Sequence, residues 1–166
     1  MSKVILVCGN TASGKSTYSM KIAKEYNAVW FSIDSWMQTL YGEDYNPGKN
    51  DFAWLLERTE RCKKLIRSIA ERNIEQDINI VLEIGFGDIK SREYYHKWGS
   101  DHGAEVYVHY LDVPVEIRRE RVRKRNSEKG ETFSFEVTDE MFDYVEHLFV
   151  PPSDKENINL VSIANF

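Results

Sequence analysis

The stretch GNTASGKST, residues 9–17, directly follows the apolar run VILVC. A short β-branched run stopped by a glycine reads as a buried parallel strand, here over residues 3–8. The chain from Lys15 to Tyr26 then reads as a helix, with Tyr18, Ile22 and Ala23 on its buried side. The residues between fit G-x-x-x-x-G-K-[ST] at every fixed position: Gly9, Asn10, Thr11, Ala12, Ser13, Gly14, Lys15 and Ser16, with Thr17 next. Glycines let the backbone come close to phosphate oxygens, and the amides of the loop and helix start then face the anion. Lys15 would reach the β- and γ-phosphates of a nucleotide, and the Ser16 hydroxyl would ligate Mg²⁺. A ligand-free glycine turn is the alternative. The position between a strand and a helix, which such a loop requires, favours phosphate binding.

This beginning sets the expectation for the rest. Apolar strands are predicted over 28–34, 78–84, 104–112 and 157–163. Between them lie helical patterns over 51–73, 89–101, 114–126 and 138–149, and a short helical piece plus loop over 35–50. The helix at 51–73 carries Phe52, Leu55, Leu56, Thr59, Cys62, Ile66 and Ile69 at helical spacing. The helix at 138–149 has Thr138 as N-cap and an apolar stripe of Met141, Phe142, Val145, Leu148 and Phe149. Five strands alternating with helices predict an α/β fold: one domain over 1–166, a mainly parallel sheet and helices on both faces.

Composition narrows the function classes. A net charge of −5 over 166 residues argues against non-specific nucleic-acid binding, which rests on many cations meeting phosphates. Cys8 and Cys62 have no metal-ligand spacing and suit the reducing cytoplasm. There is no apolar run long enough for a membrane span, and MSKVILVCGN is too short in its apolar part for a secretory signal. A cytoplasmic protein without a membrane partner is expected.

Ligands of an open parallel sheet bind beyond the carboxyl ends of its strands. Asp34, at the end of the second predicted strand, and Glu83, near the end of the third, should therefore face the phosphate loop. Asp34 is the candidate general base for an attacking hydroxyl, worth about 10²–10⁴ in rate; its other reading is an N-cap for a helix beginning at Ser35. Glu83 is the candidate carboxylate for Mg²⁺, direct or through water, or else a surface glutamate at a strand end. The run EIRRERVRKRN, 116–126, puts Arg118, Arg121 and Arg125 on one helical face. Guanidinium groups there suit a phosphate clamp, on a helix that with the loop over 127–137 forms a lid closing on substrate. A solvated charged face and an RNA-contacting stripe are the alternatives; the stripe has no interleaved aromatics for stacking.

Arg92 is a candidate for an anionic group of the substrate, or a surface arginine. Trp36, Tyr41 and Tyr45 follow Asp34 and read equally as a stacking surface for an acceptor or as core aromatics. Val150, Pro151 and Pro152 are candidates for packing near adenine. His96, His102, His109 and His147 form no metal or triad pattern and read as structural.

With these residues assembled, the chain resembles the P-loop kinases of the polynucleotide-kinase, zeta-toxin and chloramphenicol-phosphotransferase type, many of them known as AAA family ATP-binding proteins. The resemblance spans nearly the whole chain. FSIDSW resembles the element whose Asp is the family's general base, which implies that role for Asp34. IVLEIGFGDIKSRE is similar to the segment that continues to a helix arginine, here Arg92. LDVPVEIRRERVRKRN is similar to the lid entry, which implies ATP-phosphate contacts for Arg121 and Arg125. The family's strand-three Asp is Glu83 here. Met37 stands where polynucleotide kinases often carry Arg, which argues against 5'-hydroxyl phosphorylation of nucleic acid. The resemblance implies a three-layer fold with sheet order 2-3-1-4-5 and a helical lid over about 114–137. It also implies transfer of the γ-phosphate of Mg-ATP to a hydroxyl of a small molecule. A polynucleotide 5'-hydroxyl kinase and a nucleotide-binding switch or ATPase without acceptor are the rival readings. ATP is expected over GTP because no NKxD element is present.

Overall fold

The computed structural model describes residues 1–46, 48–49, 51–128 and 137–164. Five strands, β1 (Lys3–Cys8), β2 (Val29–Ser32), β3 (Ile80–Glu83), β4 (Glu105–Asp112) and β5 (Leu160–Ala164), form one sheet in the order β2-β3-β1-β4-β5. Every pairing is parallel. Six helices lie between them: α1 (Lys15–Glu25), α2 (Ile33–Tyr41), α3 (Phe52–Glu75), α4 (Ile89–Asp101), α5 (Val115–Glu128) and α6 (Asp139–Leu148). The expected fold class and sheet order are both present.

Alternation along β1 separates the two faces. Val4 and Leu6 join Ile80, Leu82, Val106 and Val108 on one side, under Ile66, Ala70 and Ile74 of α3 and Tyr95 and Trp98 of α4. Ile5 and Val7 join Val81 and Leu111 on the other, under Tyr18 and Ile22 of α1. A third cluster, Val122, Val137 and Phe142, joins α5 to α6. The central strands are apolar on both faces because helices cover both.

Three expectations are corrected. The second strand stops at Ser32, whose hydroxyl caps α2 by accepting from the Ser35 amide, so Asp34 lies in the first helical turn and is not the cap. In α3 the residues that bury are Cys62, Ile66, Ala70 and Ile74, while Phe52 and Leu56 are exposed. In α6 only Phe142 is buried; Met141, Val145 and Leu148 face out. Of the segment expected as a lid over 114–137, the structure describes the helix α5 and residue 137, and 129–136 lies outside the described residues. No helix among the described residues is long and apolar enough to cross a membrane.

Candidate active site

The loop between β1 and α1 has the backbone its sequence requires. Gly14, the residue before α1, sits at φ 92, a left-handed conformation that costs a side chain energy. A Cβ on Gly9 would lie 2.5 Å from the Ser13 hydroxyl oxygen, so the loop closes too tightly for any other residue there. Ala12 also takes a positive φ, 60. The Thr11 amide is bound by the Asn10 side-chain oxygen at 2.7 Å.

Lys15 curls back over this loop. Its Nζ donates to the carbonyl oxygens of Gly9 and Asn10, both at 3.0 Å. Burial pulls the amine below its usual range, and the Glu83 and Asp34 carboxylates pull it part of the way back. Asp34, exposed in the first turn of α2, therefore lies within electrostatic reach of Lys15.

Glu83 is buried at the end of β3, level with Ser32 in the register of β2 with β3. Ser16 Oγ donates to Glu83 Oε1 at 2.7 Å, and Trp30 Nε1 donates to Oε2 at 3.2 Å. Burial pushes the Glu83 carboxyl above its ordinary range, while the Ser16 bond and the Lys15 charge oppose this. A hydroxyl and a carboxylate in contact beside a phosphate loop are the oxygen donors Mg²⁺ takes, alongside water and nucleotide phosphate. The residues present fit that ion. Trp30 escaped the sequence reading because its indole partner lies 53 positions away.

The basic helix divides into roles. Arg121 Nη1 donates to the Ser13 carbonyl at 3.2 Å, with the Ala12 carbonyl at 3.5 Å, so it already touches the loop. Arg125 is one turn further along the same face, and its Nε is buried without a hydrogen-bond partner among the described residues. Arg118 departs from the expected clamp. It is buried, with Nη1 and Nη2 each 2.7 Å from a Glu146 oxygen, and its Nε donates to the Val113 carbonyl at 2.8 Å. Glu146 also accepts from Asn10 Nδ2 at 2.8 Å, which ties α6 to the phosphate loop. Arg119 pairs with Asp139 and Asp143, Arg123 with Asp139, and Lys124 with Glu128.

Arg92 is a second correction. It has no exposed surface, and two of its nitrogens bind Glu156, at 2.8 and 2.7 Å. Its Nη1 donates to the carbonyls of Phe86 at 3.1 Å and Val150 at 2.9 Å. A guanidinium committed in this way stitches the loop after β3 to the chain before β5 and is not presented to a substrate.

Between that stitched chain and the phosphate loop is a cavity of about 250 Å³, lined by Asn10, Tyr110, Arg118, Glu146, Phe149 and Pro151 among others. The Tyr110 and Phe149 rings stack within it at 6.0 Å. On the other side of the rim, Trp36 is half-buried against Phe31 at 6.2 Å, at the edge of the core. Tyr41 and Tyr45 instead meet Trp54 of α3, at 6.1 and 6.0 Å. His109 is buried and shares a 2.7 Å hydrogen bond with the Tyr18 hydroxyl, the structural role expected of it.

The AAA_33 family model, an AAA domain, matches residues 4–152. The chain belongs to this family. Solved structures share its fold. A presumed kinase of Chloroflexus aurantiacus superimposes with a TM-score of 0.75 at 15% identity, over 98% of this chain and 85% of that one. The APS kinase CysC of Mycobacterium tuberculosis, solved with AMPPNP and APS, gives 0.60 at 16%, over 98% and 88%. A chain of the Pnkp1/Rnl/Hen1 RNA repair complex gives 0.62 at 19%, over 94% of this chain and 50% of that one. At these identities the likeness is one of fold. A comparison with curated proteins gives no match.

Proposed function

We propose that this AAA_33 protein is an ATP-dependent kinase that moves the γ-phosphate of Mg-ATP to a hydroxyl of a small-molecule acceptor. The observation that carries the reading is the joint placement of Lys15, Glu83 and Asp34. Ser16 and Glu83 touch beside the phosphate loop, Lys15 rests on the loop carbonyls of Gly9 and Asn10, and Asp34 is exposed in the first turn of α2.

The loop amides of residues 9–17 and Lys15 hold the phosphates, and Lys15 exchanges its two carbonyl contacts for phosphate oxygens. Ser16 would hold Mg²⁺, with Glu83 next to it and Trp30 keeping the second Glu83 oxygen in place; bound there, the ion would offset charge on the nucleotide phosphates. Asp34 accepts the proton of the acceptor hydroxyl as its oxygen bonds to the γ-phosphorus. The bond from that phosphorus to the β–γ bridging oxygen breaks, and ADP leaves. Arg121 and Arg125 face the charge that gathers during transfer. The cavity walled by Tyr110, Phe149 and Pro151 is the nucleobase site, next to the expected Val150-Pro151-Pro152 segment. The neighbour solved with AMPPNP and APS supports a nucleotide on this fold.

Charge pairing supports this reading over a polynucleotide kinase. Most cations of α5 already face acids of α5 and α6, so the helix is a poor track for a nucleic-acid backbone. Met37 packs against Thr59 and Cys62 of α3 and offers no positive charge beside Asp34. The test is ADP release from Mg-ATP with and without pooled acceptors: nucleosides, sugars, aminoglycosides, chloramphenicol and 5'-hydroxyl oligonucleotides. Acceleration by a small-molecule pool is expected. Acceleration by oligonucleotides alone, or by no pool while ATP still binds, contradicts the reading.

A further inference from the structure

The helix α3 has 24 residues, whereas β3, into which it leads, has only 4. At 1.5 Å per residue the helix is about 36 Å long, more than twice the strand. Its C-terminal turns cover the sheet, and its buried residues begin only at Cys62. The turns from Phe52 to Arg61 therefore rise past the carboxyl rim, on the side where Asp34 stands. There they pack against α2 and the turn after it.

The contacts across this overhang are aromatic. Trp54 meets Tyr41 edge-on at 77°, and Tyr45 tilts against it at 42°. The Arg58 guanidinium lies 3.8 Å over the Trp54 ring and 5.6 Å from that of Tyr41. The rings are not sealed into a core: Tyr45 is 44% exposed, and Trp54 is only half-buried. On α2, Asp34, Met37 and Tyr41 stand at i, i+3 and i+7, along one face. Met37 and Tyr41 of that face touch α3. Asp34 is thus at the lower end of the same wall, about 10 Å along the helix from Tyr41. Carboxylates outnumber cations on the wall, Glu57, Asp51 and Asp34 against Arg58 and Arg61; Glu57 Oε2 lies 3.3 Å from the Arg58 guanidinium and its Oε1 pairs with Arg61.

We propose that Tyr41, Tyr45, Trp54 and Arg58 form the acceptor site, and that the acceptor is an uncharged alcohol of nucleoside size with a flat, unsaturated ring. The ring stacks on the wall, and the hydroxyl, about 10 Å below, reaches Asp34. This rests on the kinase reading for the role of Asp34. Stacking on aromatic and guanidinium faces tolerates many rings, and saturated polyols gain little from it. The excess of carboxylates disfavours a phosphorylated acceptor.

The test is calorimetric binding to the full chain saturated with AMPPNP, so that the nucleotide site is filled. The probes are uridine, pyridoxine and chloramphenicol against gluconate, myo-inositol and uridine monophosphate. A ring alcohol should bind at least about tenfold tighter than the polyols and the monophosphate. Trp54→Ala should weaken that binding about tenfold, Trp54→Phe should restore most of it, and AMPPNP affinity should hold in both. With turnover, the Trp54→Ala loss should fall on the acceptor KM and not on kcat. No binding of any ring alcohol, equal binding of polyols, or an unchanged Trp54→Ala titration overturns the proposal. The two readings fail separately. Ring alcohols that bind this wall without accelerating ADP release leave the site and remove the kinase. Acceleration by gluconate alone keeps the kinase and removes the site.

Discussion

The two banks of the rim are built differently. On the phosphate-loop bank, charge is paired before any ligand arrives: Lys15 on carbonyls, Glu83 between Ser16 and Trp30, and Arg118 on Glu146. Most of these groups are buried or half-buried. On the α2–α3 bank, Asp34 is exposed and the aromatic rings remain half wet. On the proposed reading the first bank holds the nucleotide, and its geometry is fixed in the core. The second, on the same reading, meets the acceptor and stands on a helical overhang that the core does not constrain. Changes on the first bank should therefore cost stability or turnover with every acceptor. Changes on the second should alter which acceptor is used.

Arg92 gives the largest effect and the sharpest test of what the first bank rests on. Arg92→Gln leaves Glu156 buried without its cation, which should cost about 3–5 kcal/mol. Thermal unfolding should fall by about 10 °C. A shift within about 1 °C would show that the pair does not hold the segment beside the Tyr110–Phe149 cavity. Next, Lys15→Met should lower kcat/KM by about 10²–10³ with any acceptor. An effect seen with one acceptor only would erase the distinction between the banks.

His109 tests the ground beneath the loop. Burial pushes its imidazole down from 6.5 to about 4. The folded state thus binds the proton less well than the unfolded chain. Stability from this group is present above pH 6.5 and lost as pH falls towards 4. The loss amounts to about 3 kcal/mol. His109→Gln should flatten stability between those pH values in urea titrations, and an unchanged slope would contradict it.

Glu83 gives the smallest expected change. Its raised carboxyl holds a proton more tightly in the folded chain, so it favours the fold at low pH and gives up that stability as pH rises through its folded value. At neutral pH the buried charge is therefore a cost. Glu83→Gln should leave the ligand-free melting temperature equal or higher, while weakening Mn²⁺ binding to the nucleotide complex by about 10–100-fold. A lower melting temperature with unchanged metal affinity would make Glu83 structural.

What the sequence makes legible follows the same division. The strand-loop-helix beginning is local: two glycines, a lysine and a serine at fixed spacing prescribe both backbone and ligand. The alternation of strands and helices then leads to the sheet. Arg92 and Arg118 look like ligand-contacting residues because their partners, Glu156 and Glu146, are 64 and 28 positions away. Side-chain type identifies a cation but not which anion will reach it first. Trp54 and Arg58 are missed for a related reason. They lie outside the apolar stripe of Phe52, Leu55, Leu56, Thr59, Cys62, Ile66 and Ile69, and only the excess of α3 over β3 shows that this end of the helix has no sheet to cover. Asp34 lies in the first turn of α2, two residues past the end of the strand expected to carry it.

The central claim is that Asp34 accepts a proton from an acceptor at a site that binds ATP without it. The most direct measurement compares wild type with Asp34→Asn, reading AMPPNP affinity and acceptor-stimulated ADP release in one preparation. Affinity should stay within about threefold while stimulated release falls by about 10²–10⁴. Stimulated release at the wild-type rate in Asp34→Asn would contradict the account.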